Sequence, residues 1–307
     1  MACADEIAFG FDTFIHPPST GPLPPLHLCW IVASACFIIS SVTGNVSQVD
    51  KIWSIIPWVY CIMCVNDDRT LLMAVVTTIW GIRLSYNFSR RGGYTWPFWA
   101  GEEDYRWPLL RSGTLPGFEI LAKPLPWMLF NLIFISFYQN LLLLLIASPA
   151  IVANVAAATN CANEINVLDF AAAGSIIFFV LMETFADDQQ FHFQTEKYRR
   201  KAAKETLTGE FKDGFKQSGM FSFVRKPNYF FEQSIWVAFY LFSVSATGNW
   251  LNWSMIGFLL LLALFQGSGK MTEDITIAKY PKYKEYQKRV GLYNPFISLF
   301  NDGHKKE

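Results

Sequence analysis

The chain has 307 residues with 25 basic and 25 acidic side chains, so its formal net charge is zero. Apolar residues make up 52% and charged residues 16%, against about a quarter charged in ordinary soluble domains. That composition excludes a typical soluble domain, supplies no basic field for nucleic acid, and points to a chain whose solvent is largely lipid.

The first 25 residues are rich in proline (Pro17, Pro18, Pro22, Pro24, Pro25). They lack the basic start and short apolar core of a cleavable signal peptide. Seven apolar runs follow: 26–45, 52–66, 70–89, 124–149, 166–186, 229–247 and 252–267. Each approaches the length that crosses about 30 Å of hydrocarbon, although the second and seventh are short. Pro149 is expected to end the fourth, because proline disrupts a helix interior. The expected fold is an all-α, polytopic membrane protein with about seven transmembrane helices. One helical domain over 26–300 lies between the N-terminal segment 1–25 and a polar tail, 301–307.

Seven crossings put the termini on opposite sides. With the N-terminus outside, the cytosolic segments are 46–51, 90–123, 187–228 and the C-terminal tail. Counted with Arg83 near the end of the third run, these hold all but one of the 25 Lys and Arg residues, the exception being Arg69. Basic residues gather on the cytosolic side of membrane proteins, so the charge distribution supports this orientation.

Cys29, Cys36, Cys61 and Cys64 fall in apolar runs, leaving Cys3 and Cys161 outside. Cys61-x-x-Cys64 has redox spacing but no βαβ context, and reads as small apolar filler. The sequons at Asn45, Asn87 and Asn252 lie on the cytosolic side or at a membrane edge, where glycosylation is not expected. His16, His27, His192 and His304 are widely separated, so no metal site is expected. Gly-x-Gly-x-x-Gly and a nucleophile elbow are both missing.

The informative polar residues sit where apolar runs meet basic segments. Glu183 and Asp187 are four apart and share a helix face, as do Asn228 and Glu232 after Pro227, a residue suited to a first helical turn. Carboxylates at membrane depth are costly and rarely kept without a use. The two pairs read either as internal ion pairs and helix ends, or as acceptors for ribose hydroxyls and an amide. Arg83, Arg90 and Arg91, with Gly92 and Gly93 behind them, could meet a phosphate through the planar guanidinium, or could simply anchor the helix end to headgroups. Lys197, Arg199, Arg200, Lys201 and Lys204 read mainly as a solvated or lipid-facing basic face.

Several motifs together resemble the steroid 5-alpha-reductase superfamily, particularly its domain-of-unknown-function branch. They are Glu183-x-x-x-Asp187-x-Gln189, Ser218-Gly219-Met220-Phe221-Ser222-Phe223-Val224, and Pro227-Asn228-Tyr229 with Glu232. Asp50-x-x-Trp53-x-x-x-Pro57, Arg83-Leu84, Glu103-Asp104-Tyr105-Arg106, Tyr280-Pro281-x-Tyr283 and Asn294-Pro295-Phe296 extend the likeness over about residues 45–300.

The resemblance implies an NADPH-dependent reductase of a conjugated C=C bond in a lipid or steroid-like enone. By the same resemblance Arg83, Arg91, Glu183, Asp187, Asn228, Tyr229 and Glu232 contact the cofactor. The chain departs from steroid-reducing members at the substrate end: no Tyr stands near Leu71 and Leu72, and Gly267–Glu273 replaces a His-rich stretch. Asp50 is the nearest acid, with Tyr60 or Tyr86 as hydroxyl, and Asp50 could equally cap a helix. Asp50 and Tyr86 are the candidate catalytic pair. Two other classes stay open. One is an S-adenosylmethionine-dependent methyltransferase of the isoprenylcysteine type, partly matched by Lys226-Pro227-Asn228-Tyr229 and Glu273-Asp274-Ile275. The other is a diverged structural subunit of a membrane complex. The expected partners are the bilayer and a lipid-like substrate, with a membrane complex as a further candidate and no nucleic acid. The tail His304-Lys305-Lys306-Glu307 approximates a dilysine signal and gives weak support for the endoplasmic reticulum or another intracellular membrane.

Overall fold

The computed structural model describes residues 12–15, 17 and 23–302. Most of the N-terminal segment, with Cys3 and His16, and the tail residues 303–307 lie outside them. No β-strand occurs among the described residues, only a single bridge between Val224 and Gly291. The helices are α1 (Asp12–Ile15), α2 (Pro25–Thr43), α3 (Gln48–Ile52), α4 (Ile56–Met63), α5 (Asp68–Ser89), α6 (Arg106–Arg111), α7 (Pro124–Ala158), α8 (Val167–Ala202), α9 (Gly209–Asp213), α10 (Pro227–Thr247), α11 (Met255–Lys279), α12 (Tyr283–Arg289) and α13 (Pro295–Asp302).

Five of these, α2, α5, α7, α8 and α11, are long and apolar enough to cross a membrane, as expected of an integral membrane protein. The second expected run is split between α3 and α4, and α4 has only eight residues, or about 12 Å of rise. Helix α10 has 21 residues, but its first turns carry the polar cluster described below.

Two element ends differ from expectation. Pro149 lies inside α7, which runs on to Ala158. The missing proline N–H leaves the Leu145 carbonyl without its usual donor, and Ser148 Oγ donates to that carbonyl at 2.6 Å. The helix survives its proline because a neighbouring hydroxyl replaces the lost bond. Helix α8 spans 36 residues, about 54 Å, so Asp187–Gln190 and the basic residues up to Arg200 continue the helix instead of starting a loop.

The chain forms two compact units, one comprising Met1–Gly174 and Ala238–Leu259, the other Ser175–Val237 and Leu260–Glu307. In the first unit α7 is the core: 83% of its apolar window is buried, against 22% for α2 and 39% for α5. Helix α5 turns Leu71, Val75, Ile79, Ile82 and Tyr86 outward at helical spacing, the pattern of a lipid-facing stripe. An Asp67–Thr70 capping box starts α5 by satisfying its first free N–H groups. The second unit packs Phe215, Tyr283, Tyr286 and Val290 into a small core, with Phe215 edge-on to Tyr283 at 4.9 Å.

Candidate functional site

In the second unit, α8 and α10 carry the two polar pairs. Asn228 stands in the first turn of α10, directly after Pro227 at its start. Its Nδ2 donates to Asp187 Oδ1 of α8 at 3.4 Å. Phe179 and Phe231 pack with centroids 6.2 Å apart across the same two helices. Glu183 lies one turn from Asp187 on α8, and Glu232 one turn from Asn228 on α10. The four-residue spacing thus turns both pairs into one helix–helix seam. Glu183, Asp187 and Glu232 are only 4%, 3% and 5% exposed. Trp236, one further turn along, donates its indole N–H to Glu232 Oε1 at 2.9 Å, which fixes that carboxylate.

Tyr229 sits beside the seam, edge-on to Phe265 at 4.8 Å, with the Lys226 ammonium 5.2 Å from its ring centroid. Gln189, the last residue of the α8 signature, accepts the Met220 N–H at 3.0 Å. Gly219 is at φ +65°, and a Cβ there would stand 2.4 Å from Gln189 Oε1. The Ser218–Val224 motif is therefore a turn moulded on α8, and its glycine is required by close approach as well as by backbone angle.

A second buried cluster escaped the sequence reading. Arg225 binds Glu273 through Nε at 2.6 Å and Nη2 at 2.9 Å, and its Nη1 reaches the Gln287 and Val290 carbonyls. Tyr283 Oη and Gln287 Nε2 also donate to Glu273, at 3.0 Å and 2.8 Å. Glu273 is thus consumed in tying α11 to α12 and to the segment before α10. The acid embedded in Gly267–Glu273 was the available signal, since a carboxylate needs a partner once buried.

The remaining sequence candidates belong to the first unit. Asp50 lies in the first turn of α3, behind the cap position Ser47, and its Oδ2 accepts the Trp107 indole N–H at 3.1 Å. It is therefore not the cap itself. Around it, segment 94–107 is bound along α3 and the residues before it. Lys51 Nζ donates to Ala100 O at 2.6 Å, Gln48 Nε2 to Trp99 O at 3.1 Å, Asn45 Nδ2 to Gly101 O at 3.1 Å, and Tyr94 Oη to Lys51 O at 2.8 Å. Tyr86 is exposed on α5 beneath the Arg90 guanidinium, 5.7 Å from its ring centroid. Arg83 is half-buried on α5 and Arg91 is exposed just beyond that helix. Asp50 and Tyr86 thus hold different local partners within this unit.

Arg69, the one basic residue outside the cytosolic set, is not a surface charge. It forms a two-point ion pair with Asp169, Nε to Oδ1 at 2.8 Å and Nη2 to Oδ2 at 3.1 Å, with side-chain exposures of 1% and 0%. Its remaining donors reach the Asn163 and Glu164 carbonyls, both at 2.9 Å. Asp169 Oδ2 accepts from Ser245 Oγ at 2.8 Å and from the Asn166 N–H at 2.9 Å. Nearby, Cys161 is disulfide-bonded, whereas Cys29, Cys36, Cys61 and Cys64 are free and buried. No group of three or more His, Cys, Asp or Glu able to hold a metal occurs among the described residues.

A family model described as protein of unknown function, DUF1295, matches residues 36–290. The chain is also 34% identical over 289 residues to an uncharacterized protein of Schizosaccharomyces pombe, C594.04c, covering 88% of this chain and 78% of the relative. No solved structure matches.

Proposed function

The chain belongs to the DUF1295 family of proteins of unknown function, and from that premise we propose that it is a membrane-embedded, NADPH-dependent reductase of a conjugated C=C bond in a lipid. The steroid-reductase resemblance of the α8 and α10 motifs supplies the reaction class. The observation that carries the reading is the seam between α8 and α10, where the Asn228–Asp187 contact joins two buried acid-bearing turns.

The donor set fits part of the cofactor. Carboxylates accept from ribose hydroxyls and from a carboxamide NH2, and the Asn228 amide can both donate and accept. Three acids repel phosphate, so phosphate recognition falls to the cationic side of the cluster, where Lys226 precedes α10 and favourable helix N-terminal N–H groups lie. When bound, NADPH supplies the hydride. The protein's part is to hold the ribose and carboxamide in register: Asp187 steadied by Asn228, Glu232 steadied by Trp236, and both kept from water by the aromatic pair Phe179 and Phe231. Burial strengthens each of these polar contacts, because the local dielectric is low. Within the first unit, taken by itself, the resemblance keeps Arg83 and Arg91 as candidate phosphate ligands and Asp50 with Tyr86 as the candidate substrate-side pair.

We further infer seven crossings with the N-terminus outside and the C-terminus cytosolic. Within the first unit, residues 45–51 and 94–107 share one polar end, while residues 66–70, 163–169 and 245 share another. Segment α3–α4 connects the two ends, which supports its crossing despite its break. The disulfide at Cys161 supports an oxidising compartment for the loop after α7, and the burial of Arg69 removes the one exception to the charge bias. The membrane assigned is the endoplasmic reticulum or another intracellular membrane, on the tail signal alone.

The methyltransferase reading is weakened because Glu273, part of its partial pattern, is already held by Arg225, Tyr283 and Gln287. Thermal stabilisation of the purified protein by NADPH, NADH and S-adenosylmethionine separates the readings. NADPH at 100 times its Kd is expected to add about 2.7 kcal/mol. No shift with NADPH overturns the reductase reading, and a shift with S-adenosylmethionine alone supports the transferase.

A further inference from the structure

The basic segment that ends α8 does not act as one uniform charged face. Glu196 accepts from Arg199 at 2.7 Å and 2.9 Å and from Arg200 at 2.6 Å, and Glu205 accepts from Arg199 at 2.8 Å. Asp213 is held by Lys282 at 3.1 Å and by Gln217 at 3.0 Å. Glu210 is held by Lys216 and by the Gln217 and Ser218 N–H groups. These pairings set apart three lysines: Lys197 and Lys201 on α8, and Lys279 at the end of α11. No carboxylate of the described residues forms an ion pair with any of the three.

Lys197 is the centre of the set. It is only 3% exposed, and one of its three donors reaches Gly214 O at 3.0 Å. Its ammonium stands 5.4 Å, 5.3 Å and 5.7 Å from the ring centroids of Phe193, Tyr198 and Tyr280, the range in which a ring face attracts a cation. Lys201 lies over the same Tyr198 ring at 5.9 Å, and Lys279 over the same Tyr280 ring at 5.6 Å. The charges that act on Lys197 are those of Lys201 and Lys279, and both repel it. The arrangement is also built in place. Gly214 caps α9 at φ +91°, and a Cβ there would stand 2.2 Å from Tyr280 Cε1, so carbonyl, ring and ammonium fix one another. All these groups belong to the second unit.

A buried cation without a counter-ion is costly, and like charges gathered beside it add to the cost. An anion reverses both terms. We propose that Lys201, Lys279 and the buried Lys197 bind a phosphate monoester, carried on the headgroup of a membrane lipid or on a soluble molecule. Lysine meets phosphate as a point charge, and a monoester carries up to two negative charges. Lys201 and Lys279 are exposed, as is Tyr198, so the anion reaches the outer two lysines with the charge of Lys197 behind them. The depth narrows the carrier. The apolar run of α8 ends at Ala186, and Lys197 lies eleven residues further on, about 16 Å along the helix. The headgroup layer on one side of a bilayer is about 6 Å deep, so the phosphate must stand off the surface, as on an inositol ring, or be free. The site uses none of the acids of the α8–α10 seam and holds whether or not that seam binds a nucleotide.

The test uses the full protein in phosphatidylcholine nanodiscs. One arm places phosphatidylinositol 4-phosphate in the discs, with phosphatidylserine at equal charge as the control. The other adds soluble inositol 1,4-bisphosphate to plain discs. Saturable binding and a raised Tm are expected: a response in the disc arm alone identifies a lipid headgroup, and one in the soluble arm a free phosphate. Lys201→Gln with Lys279→Gln should weaken binding about 25-fold, near fivefold for each lysine, and Lys197→Met should weaken it too. Lys123→Gln with Lys284→Gln removes the same charge from exposed lysines elsewhere and should leave the affinity near wild type. Binding in neither arm, an equal response to phosphatidylserine, or equal losses in the two double variants overturns the proposal. NADPH and NADH are titrated onto the same proteins. If Lys201→Gln with Lys279→Gln loses affinity for NADPH alone and keeps its inositol phosphate binding, the lysines serve the dinucleotide and the proposal is also overturned. If Lys197→Met does not fold, the exposed pair decides alone.

Discussion

Replacing Asp169 by Asn tests whether the Arg69 pair holds the far end of α5 to α8. Asp169 accepts four bonds, two from Arg69 and one each from Ser245 and Asn166, and both charged side chains are at most 1% exposed. Asparagine keeps the shape and one acceptor oxygen but removes the charge, leaving the guanidinium buried with the Asn163 and Glu164 carbonyls and no counter-charge. Breaking one side of a buried pair costs about 3–5 kcal/mol. For a chain of this size that lowers Tm by on the order of 10 °C. The double variant Arg69→Met with Asp169→Leu removes both charges and should recover much of the loss, because apolar replacement of a buried pair is often neutral or stabilising. Thermal unfolding of the three variants in one detergent is the assay. A Tm within about 1 °C of wild type for Asp169→Asn, or a double variant worse than the single, refutes the claim that desolvated charge sets the cost.

Arg225→Ala leaves Glu273 buried without its cation and should destabilise the protein by about 3–5 kcal/mol, read as loss of protection in α11 and α12 by hydrogen exchange. Gly219→Ala forces a side chain into a left-handed position, worth about 1–2 kcal/mol, and pushes on Gln189; a wild-type Tm would mean the turn relaxes freely. Burial pulls the Glu210 carboxyl upward, but bonds from the Gln217 and Ser218 N–H groups and the Ser218 hydroxyl outweigh it and hold it below the usual carboxylate range. A depressed folded pKa stabilises above the unfolded value and is lost as pH falls through the folded one. Local protection at Gln217 and Ser218 should therefore fade as pH falls below the ordinary carboxylate range, and Glu210→Gln should remove that dependence.

Much of this architecture is legible because lipid imposes simple rules. Apolar length marked five helices, and the start of α10 at Pro227 followed from proline's fit to a first turn. The spacing of Glu183 with Asp187, and of Asn228 with Glu232, announced a shared face that the contact between α8 and α10 then joined. Other features depend on partners distant in sequence. Pro149 was a poor stop signal because Ser148 repairs the backbone locally. Arg69 read as a stray charge because its partner lies 100 residues away. Glu273 looked like a chemical residue until Arg225 and Tyr283 were seen to hold it. The asparagines of α7 gave no signal by periodicity, since they are polar points within a run otherwise buried.

The central claim is that the seam between α8 and α10 holds a nicotinamide nucleotide. Equilibrium titration of NADPH onto the wild-type protein and onto Asn228→Ala in nanodiscs tests it most directly. The account predicts saturable binding by wild type and affinity at least about tenfold weaker in the variant, matching loss of one or two polar contacts, with unchanged expression and Tm. No binding to wild type, or equal affinity in the two proteins, contradicts it.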